Sequence, residues 1–183
     1  QDNGLTSFLF DANYFDINYE LPEWLNKLDI KVIHPGTDCE MDSDEYGISK
    51  NVAANYIREY SQKTKSIKTS IIGPELNGTS SLLEWFLSQK KEVFGYTKAI
   101  WNGVTTLEWS KHCLKLINNW DDYNKTTILY SDNVSKYELL NVIKKVFNKN
   151  IKITKKELGK NKTLKGNIKT KNIREQLIEL KSL

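Results

Sequence analysis

Glycine and proline are scarce, nine and three in 183 residues, which excludes collagen-like, low-complexity and flexible-linker architectures. None of the nine glycines falls in a Gly-x-Gly-x-x-Gly or Gly-x-x-Gly-x-x-Gly pattern, so the turn that cradles a dinucleotide pyrophosphate at a helix N-terminus is not written in this chain. Long apolar runs are missing too: residues 30–33 are interrupted by Lys31 and fall far short of a bilayer span. No cationic-then-apolar segment opens the chain, so no secretory signal is expected. The first residue is Gln1 rather than Met, and the natural start is expected to lie upstream. The two cysteines, Cys39 and Cys113, stand alone without Cys-x-x-Cys spacing, which argues against both a zinc site and a disulfide framework. The two histidines, His34 and His112, have no carboxylate or thiol cluster at ligand spacing, so no metal is expected.

What is present suits a folded globular protein. Apolar residues make up 39% and aromatic residues 11% of the chain, enough for a real core. The net charge of +4 is mild. Its basic excess is concentrated in residues 144–171 and shows no repeated aromatic–basic interleave, so it reads as a solvated face and not a nucleic-acid surface. Isolated thiols fit a reducing cytoplasm. The Asn-x-Ser/Thr triplets at Asn77, Asn124, Asn133 and Asn161 are then chance products of an Asn-rich sequence.

Short β-branched runs alternate with helical patterns, the signature of an α/β fold with a largely parallel sheet. Residues 1–20 are aromatic and irregular. Helices are expected over residues 21–28, 46–62, 105–118, 135–147 and 172–180, with a further one carrying Leu82, Leu83, Trp85, Phe86 and Leu87 after a cap at Thr79 or Ser80. The 46–62 helix carries Val52, Tyr56 and Tyr60 along one side, and an acidic loop at its N-terminal end suits the helix dipole. Ser135 with Glu138 reads as a capping box. Strands are expected over residues 30–34, 67–72, 93–96, 126–130 and 151–154. Trp85 and Trp109 fit the cores of amphipathic helices.

Tyr46 and Lys50 form Tyr-x-x-x-Lys, which puts both side chains on one helix face a turn apart. A neighbouring ammonium favours phenolate over phenol and is expected to lower the tyrosine pKa, so that Tyr46 can exchange a proton with a carbonyl oxygen. Nine residues before Tyr46, Thr37 follows a strand, at the C-terminal edge where open parallel sheets place ligands. A donor to the same carbonyl and a simple turn threonine both fit that position. Taken alone, each element of this set occurs by chance in a chain rich in Tyr and Lys.

The wider pattern is more specific. His34-Pro35-Gly36-Thr37-Asp38-Cys39, Tyr46-Gly47-Ile48-Ser49-Lys50, Thr69-Ser70-Ile71-Ile72-Gly73-Pro74-Glu75, Trp101-Asn102-Gly103-Val104-Thr105-Thr106 and the run from Ser131 to Leu140 follow one another in a fixed order. Together they resemble dTDP-4-dehydrorhamnose reductase-like proteins of the extended short-chain dehydrogenase/reductase superfamily, over about residues 21–183. The resemblance implies an incomplete Rossmann-like parallel sheet with flanking helices. Residues 1–75 would form the C-terminal part of a nucleotide-binding domain, and residues 76–183 a small α/β substrate-binding lobe interleaved with the sheet. It implies reduction of a keto sugar nucleotide with NADP or NAD, in the cytoplasm, in surface-polysaccharide synthesis, by a protein that can form a homodimer and has no nucleic-acid or membrane partner. Carried over by position, Thr37, Tyr46 and Lys50 are the catalytic set. Tyr46, Lys50, Ser70, Ile71, Ile72 and Gly73 border the cofactor. Thr37, Asp38, Trp85, Trp101 and Asn102 border the substrate. For Trp101, Asn102 and Gly103, pocket lining and a structural turn fit equally.

Two departures stand against the full activity. The eight residues between Thr37 and Tyr46 are fewer than in the family's usual loop, although they can still span roughly 30 Å. The glycine-rich phosphate turn is absent, so this chain is expected to be inactive alone. The alternatives are a non-catalytic sugar-nucleotide-binding or assembly module, and an epimerase or dehydratase of the same superfamily.

Overall fold

The computed structural model describes residues 14–28 and 30–183, and the chain divides into two compact units. The first holds the described residues up to Lys68 together with Asn124–Thr126; the second holds Thr69–Tyr123 and Thr127–Leu183.

The first unit opens on helix where irregular chain is expected. Tyr14 and Phe15 are helical, a π-turn follows at Asp16–Glu20, and α1 is Leu21–Asn26. The rest of that irregular stretch, residues 1–13, lies outside the described residues. Strand β1 is Val32–Gly36, shifted toward the C-terminus from its expected position so that Pro35 and Gly36 lie inside it. Pro35 pairs with Ile67 on β2, Thr64–Lys68, in parallel register. Proline is tolerated in a strand where its missing N–H is not needed by a ladder partner. A 3₁₀ turn, Asp38–Met41, leads to α2, Glu45–Glu59, which is capped by Asp44 accepting from Gly47 N at 2.7 Å.

The buried face of α2 is Ser49, Lys50, Ala53 and Ile57, a stripe at three- and four-residue spacing. The expected Val52–Tyr56–Tyr60 side lies beside that stripe, and Tyr60 is 73% exposed. Ala53 and Ile57 are buried, as is Ile67 on β2. Lys50 therefore sits on the inward face, where a charge persists only with partners.

In the second unit β3, Ile71–Ile72, pairs in parallel with β6, Val104–Thr105. Residues 67–72, expected as one strand, divide between β2 and β3. Helix α3, Leu82–Ser88, is capped by Ser81 in place of Thr79 or Ser80. Strand β4, Val93–Tyr96, falls at its expected position; it pairs in parallel with β9, Ile153–Lys156. The short β5, Ile100–Trp101, pairs antiparallel with β8, Val134–Ser135. Helix α4, Thr106–Asn118, starts from a Thr105 cap. Strand β7, Thr126–Tyr130, pairs in parallel with β10, Ile168–Lys169. Helix α5, Lys136–Val146, carries the expected Ser135–Glu138 capping box, and α6, Ile173–Lys181, is capped by Asn172. The unit's core joins Leu83 and Phe86 of α3, Leu139, Leu140 and Ile143 of α5, and Ile173 and Leu177 of α6.

Candidate active site

The catalytic set expected from the sequence meets in the first unit, and the packing that brings it together starts at two glycines. A Cβ on Gly36 would stand 2.9 Å from Lys68 Cβ and from Ser66 Oγ, so β1 approaches β2 closely just before Thr37. A Cβ on Gly47 would stand 2.6 Å from the carbonyl oxygens of Cys39 and Asp42. The 3₁₀ turn therefore lies directly on the first turn of α2, next to Tyr46.

Thr37 caps that turn. Its Oγ1 accepts from Cys39 N and donates to Asp38 Oδ1, each at 3.2 Å, while its own N–H donates to Glu40 Oε1 at 3.1 Å. The Thr37 hydroxyl faces the Tyr46 phenol and favours its ionisation, but burial acts more strongly, and the tyrosine pKa is raised above its ordinary value. Cys39, Asp38 and Tyr14 add to the rise. This corrects the expectation that Lys50 pulls the phenol down: the Lys50 ammonium stands 5.9 Å from the Tyr46 ring centroid and donates to the Pro35 carbonyl at 3.1 Å. The Tyr46 phenol is therefore protonated at neutral pH.

Lys50 is 8% exposed. Burial lowers its pKa, and the Glu40 carboxylate works against that. His34, on β1, is held at about 4 by burial and by the Lys50 charge, and its Nε2 has no hydrogen-bond partner among the described residues. It is a neutral imidazole beside a cation.

Contacts that sequence reasoning missed complete the surroundings. The Tyr14 ring stands edge-on to Tyr46, centroids 5.5 Å apart. Asn18 Nδ2 donates to Ser49 Oγ at 3.0 Å, and Ser49 Oγ donates to the Tyr46 carbonyl at 2.8 Å, which fixes the helix turn that carries the phenol. Lys68 Nζ donates to Glu40 Oε2 at 2.6 Å. Tyr14, Ile17, Leu21 and Trp24 recur at helical spacing, a signal that would have placed the first helix.

The remaining expected residues belong to the second unit. Ser70 accepts from Val104 N at 2.9 Å through its carbonyl, and Ile71 and Ile72 are ladder residues of β3. A Cβ on Gly73 would lie 2.2 Å from Thr106 Oγ1, so Gly73 is a point of close contact. Trp85 and Trp101 are half-buried and pack against the core. Asn102 is 4% exposed, and its amide grips the backbone of Leu164, donating to the carbonyl and accepting from the N–H, each at 2.9 Å. It borders a cleft of about 520 Å³ lined also by Tyr130, Asp132, Asn133, Thr163, Lys165 and Lys169; neither tryptophan lines it. Among the described residues no group of three or more His, Cys, Asp or Glu side chains could hold a metal ion. No described helix is long and apolar enough to cross a membrane.

Parallel strands bridged by helices, with a strand-end Thr above a Tyr–Lys helix, define a Rossmann-like α/β fold of the kind found in sugar-nucleotide reductases. A dTDP-4-dehydrorhamnose reductase ortholog from Clostridium acetobutylicum superposes with a TM-score of 0.74 at 17% identity, covering 92% of this chain and 72% of its own. The dTDP-4-dehydrorhamnose reductase of Bacillus anthracis, solved with NADP, gives 0.70 at 15% identity, covering 83% of this chain and 65% of its own. The dTDP-glucose 4,6-dehydratase of Bacillus anthracis, solved with NAD, gives 0.65 at 15% identity, covering 91% and 67%. The chain thus spans about two-thirds of the length of these proteins, and the likeness is one of fold. No protein-family model matches the chain, and no curated protein matches it in sequence.

Proposed function

We infer that this chain carries the proton-donating part of an NAD(P)H-dependent reductase acting on a keto sugar nucleotide of the dTDP-4-dehydrorhamnose kind. The observation that carries this reading is the meeting of Thr37, Tyr46 and Lys50 in one unit, with the phenol kept protonated. In it, Tyr46 gives its proton to the substrate carbonyl oxygen, Thr37 donates a hydrogen bond to that oxygen, and the Lys50 ammonium stabilises the phenolate left behind. The nicotinamide, when bound, supplies the hydride. Lys50 fits the ribose end of such a cofactor, since it is a buried ammonium beside the phenol that a ribose hydroxyl could engage in place of the Pro35 carbonyl. Ser70, Ile71, Ile72 and Gly73 belong to the same side of the reading; Asp38, Trp85, Trp101 and Asn102 belong to the sugar-nucleotide side. Residues 1–75 are its nucleotide-binding part and residues 76–183 its substrate lobe. Surface-polysaccharide synthesis in the cytoplasm follows from that substrate class, and a homodimer is compatible with it.

No residues for the pyrophosphate end of a dinucleotide are recognisable in the chain, because the glycines are not grouped. That observation favours the second reading, a sugar-nucleotide-binding or assembly module without activity of its own. Epimerase or dehydratase chemistry shares the same Tyr and Lys. The experiment fuses a family N-terminal segment to this chain and follows NADPH oxidation with dTDP-4-dehydrorhamnose and other keto sugar nucleotides. Turnover that disappears in Tyr46→Phe supports the reductase. Binding of the sugar nucleotide without NADPH oxidation supports the module.

A further inference from the structure

Thr37 is held by more than its own strand. Its N–H donates to one oxygen of the Glu40 carboxylate at 3.1 Å, and the other oxygen accepts from Lys68 Nζ at 2.6 Å. The Glu40 side chain is 9% exposed and the Lys68 side chain 16%. A capping box on a short turn needs only a glutamate of the right reach. It does not need a lysine delivered to the carboxylate from the last residue of the neighbouring strand, at the expense of desolvating both charges. With both oxygens engaged in separate charge-assisted bonds, the carboxylate has one orientation, and so does the Thr37 backbone attached to it.

The same carboxylate acts on the second member of the set. The groups facing Lys50 are His34 from β1, Glu40 from the 3₁₀ turn and Tyr46 one turn earlier on α2. His34 and Tyr46 are neutral at pH 7, so Glu40 supplies the negative charge there. We propose that Glu40, anchored by Lys68, is a positioning residue of the Thr37–Tyr46–Lys50 set. It holds the Thr37 hydroxyl against the Tyr46 phenol and sets an anion beside the Lys50 ammonium. This role rests on the proton-donor reading of the site, yet its geometry is measurable without turnover.

The test is NMR on the 183-residue chain with reductively ¹³C-methylated lysines, the Lys50 signal being assigned by its loss in Lys50→Arg. In the unsubstituted chain a contact is expected between the Thr37 methyl and the Tyr46 ring. In Glu40→Ala and in Lys68→Met that contact weakens and the Thr37 amide exchanges about tenfold faster or more; in Glu40→Ala the Lys50 titration also moves to lower pH. Glu40→Gln, nearly isosteric, serves if Glu40→Ala does not fold, and by loss of charge it moves the Lys50 titration in the same direction. The double variant Glu40→Gln/Lys68→Met removes both buried charges and recovers thermal stability, but leaves the Lys50 titration displaced. A folded variant with an unchanged Thr37–Tyr46 contact and an unchanged Lys50 titration overturns the proposal, as does a double variant in which the titration returns with stability. Failure of the fused protein to oxidise NADPH sinks the reductase reading and leaves these signals unaffected.

Discussion

The Lys50 ammonium donates to the Pro35 carbonyl at 3.1 Å, tying the Tyr46–Lys50 face of α2 to the strand that ends beside Thr37. Proline gives β1 a carbonyl without a competing N–H at that residue. The bond satisfies a buried cation and holds Lys50 one turn from the phenol. Tyr46 in turn is kept protonated by burial, so in the proposed reaction it holds a proton to give to a carbonyl oxygen on which negative charge develops.

Tyr46→Phe isolates this chemistry. The ring stays, so its edge contact with Tyr14 survives, and the melting temperature is expected to stay within a few degrees. The phenolic hydroxyl is lost. In the fused reductase, kcat should fall by about 10²-fold or more, measured as NADPH oxidation under saturating substrate.

His34 makes stability depend on acid. Its folded pKa of about 4 lies below the ordinary value of 6.5. A depressed pKa contributes stability that is complete above the unfolded value and is lost as pH falls through the folded one. The loss should therefore run from about pH 6.5 to about pH 4 and amount to on the order of 3 kcal/mol. Urea midpoints at pH 7 and pH 4.5 measure it, and His34→Leu should flatten the difference. Tyr46 acts at the other end. Its raised pKa leaves stability intact below the ordinary tyrosine value near 10 and removes it as pH rises beyond, so Tyr46→Phe should lessen the alkaline loss.

How much of this was legible in the sequence depends on what each signal encodes. Caps are local chemistry, and Ser135 with Glu138 was readable because one side chain and one backbone N–H decide it. Strand β4 and strand β7 were readable from composition. The Thr37–Tyr46–Lys50 set was readable through the resemblance. By contrast, β5, β6, β8 and β10 are two residues each; such pairs are made by their partners and leave no period to detect. Glu40 and Lys68 lie 28 positions apart, so their pairing follows from tertiary packing. The direction of the Tyr46 shift was misread because sequence shows the nearby lysine but not the burial that outweighs it.

Gly47→Ala should separate the 3₁₀ turn from α2. The added methyl would meet two carbonyl oxygens at 2.6 Å, and backbone cannot yield as a flexible side chain does. A cost of about 1–3 kcal/mol is expected from urea unfolding, with loss of the Thr37–Tyr46 contact in NMR. A stability equal to that of the unsubstituted chain would show that the turn is free to move.

Asn102→Ala tests the structural side of a residue also assigned to the substrate. Two hydrogen bonds to Leu164 are removed at a buried position, for which about 1–3 kcal/mol is expected. The segment from Thr163 to Gly166 should then become more sensitive to proteolysis. An undiminished stability combined with weaker sugar-nucleotide binding would assign Asn102 to recognition instead.

The last expectation concerns the cofactor. This chain by itself should have no useful affinity for NADPH or NADH and no reductase activity. Binding a dinucleotide depends on backbone N–H groups at a helix N-terminus after a glycine-rich turn, reinforced by the helix dipole, and none of the nine glycines is so arranged. Contacts of Tyr46 and Lys50 with the nicotinamide end, as proposed above, would reach only part of the molecule. Each missing hydrogen bond to a charged phosphate is worth on the order of 1.5–3 kcal/mol. A few of them convert micromolar binding into millimolar or weaker, since each 1.4 kcal/mol or so is tenfold. Calorimetric titration with NADPH, run on this chain and on the fused version, measures the difference directly. Micromolar binding by the unfused chain would mean that it holds the phosphates through residues other than a glycine turn, and the two basic side chains of the second unit's cleft, Lys165 and Lys169, would be the first to replace.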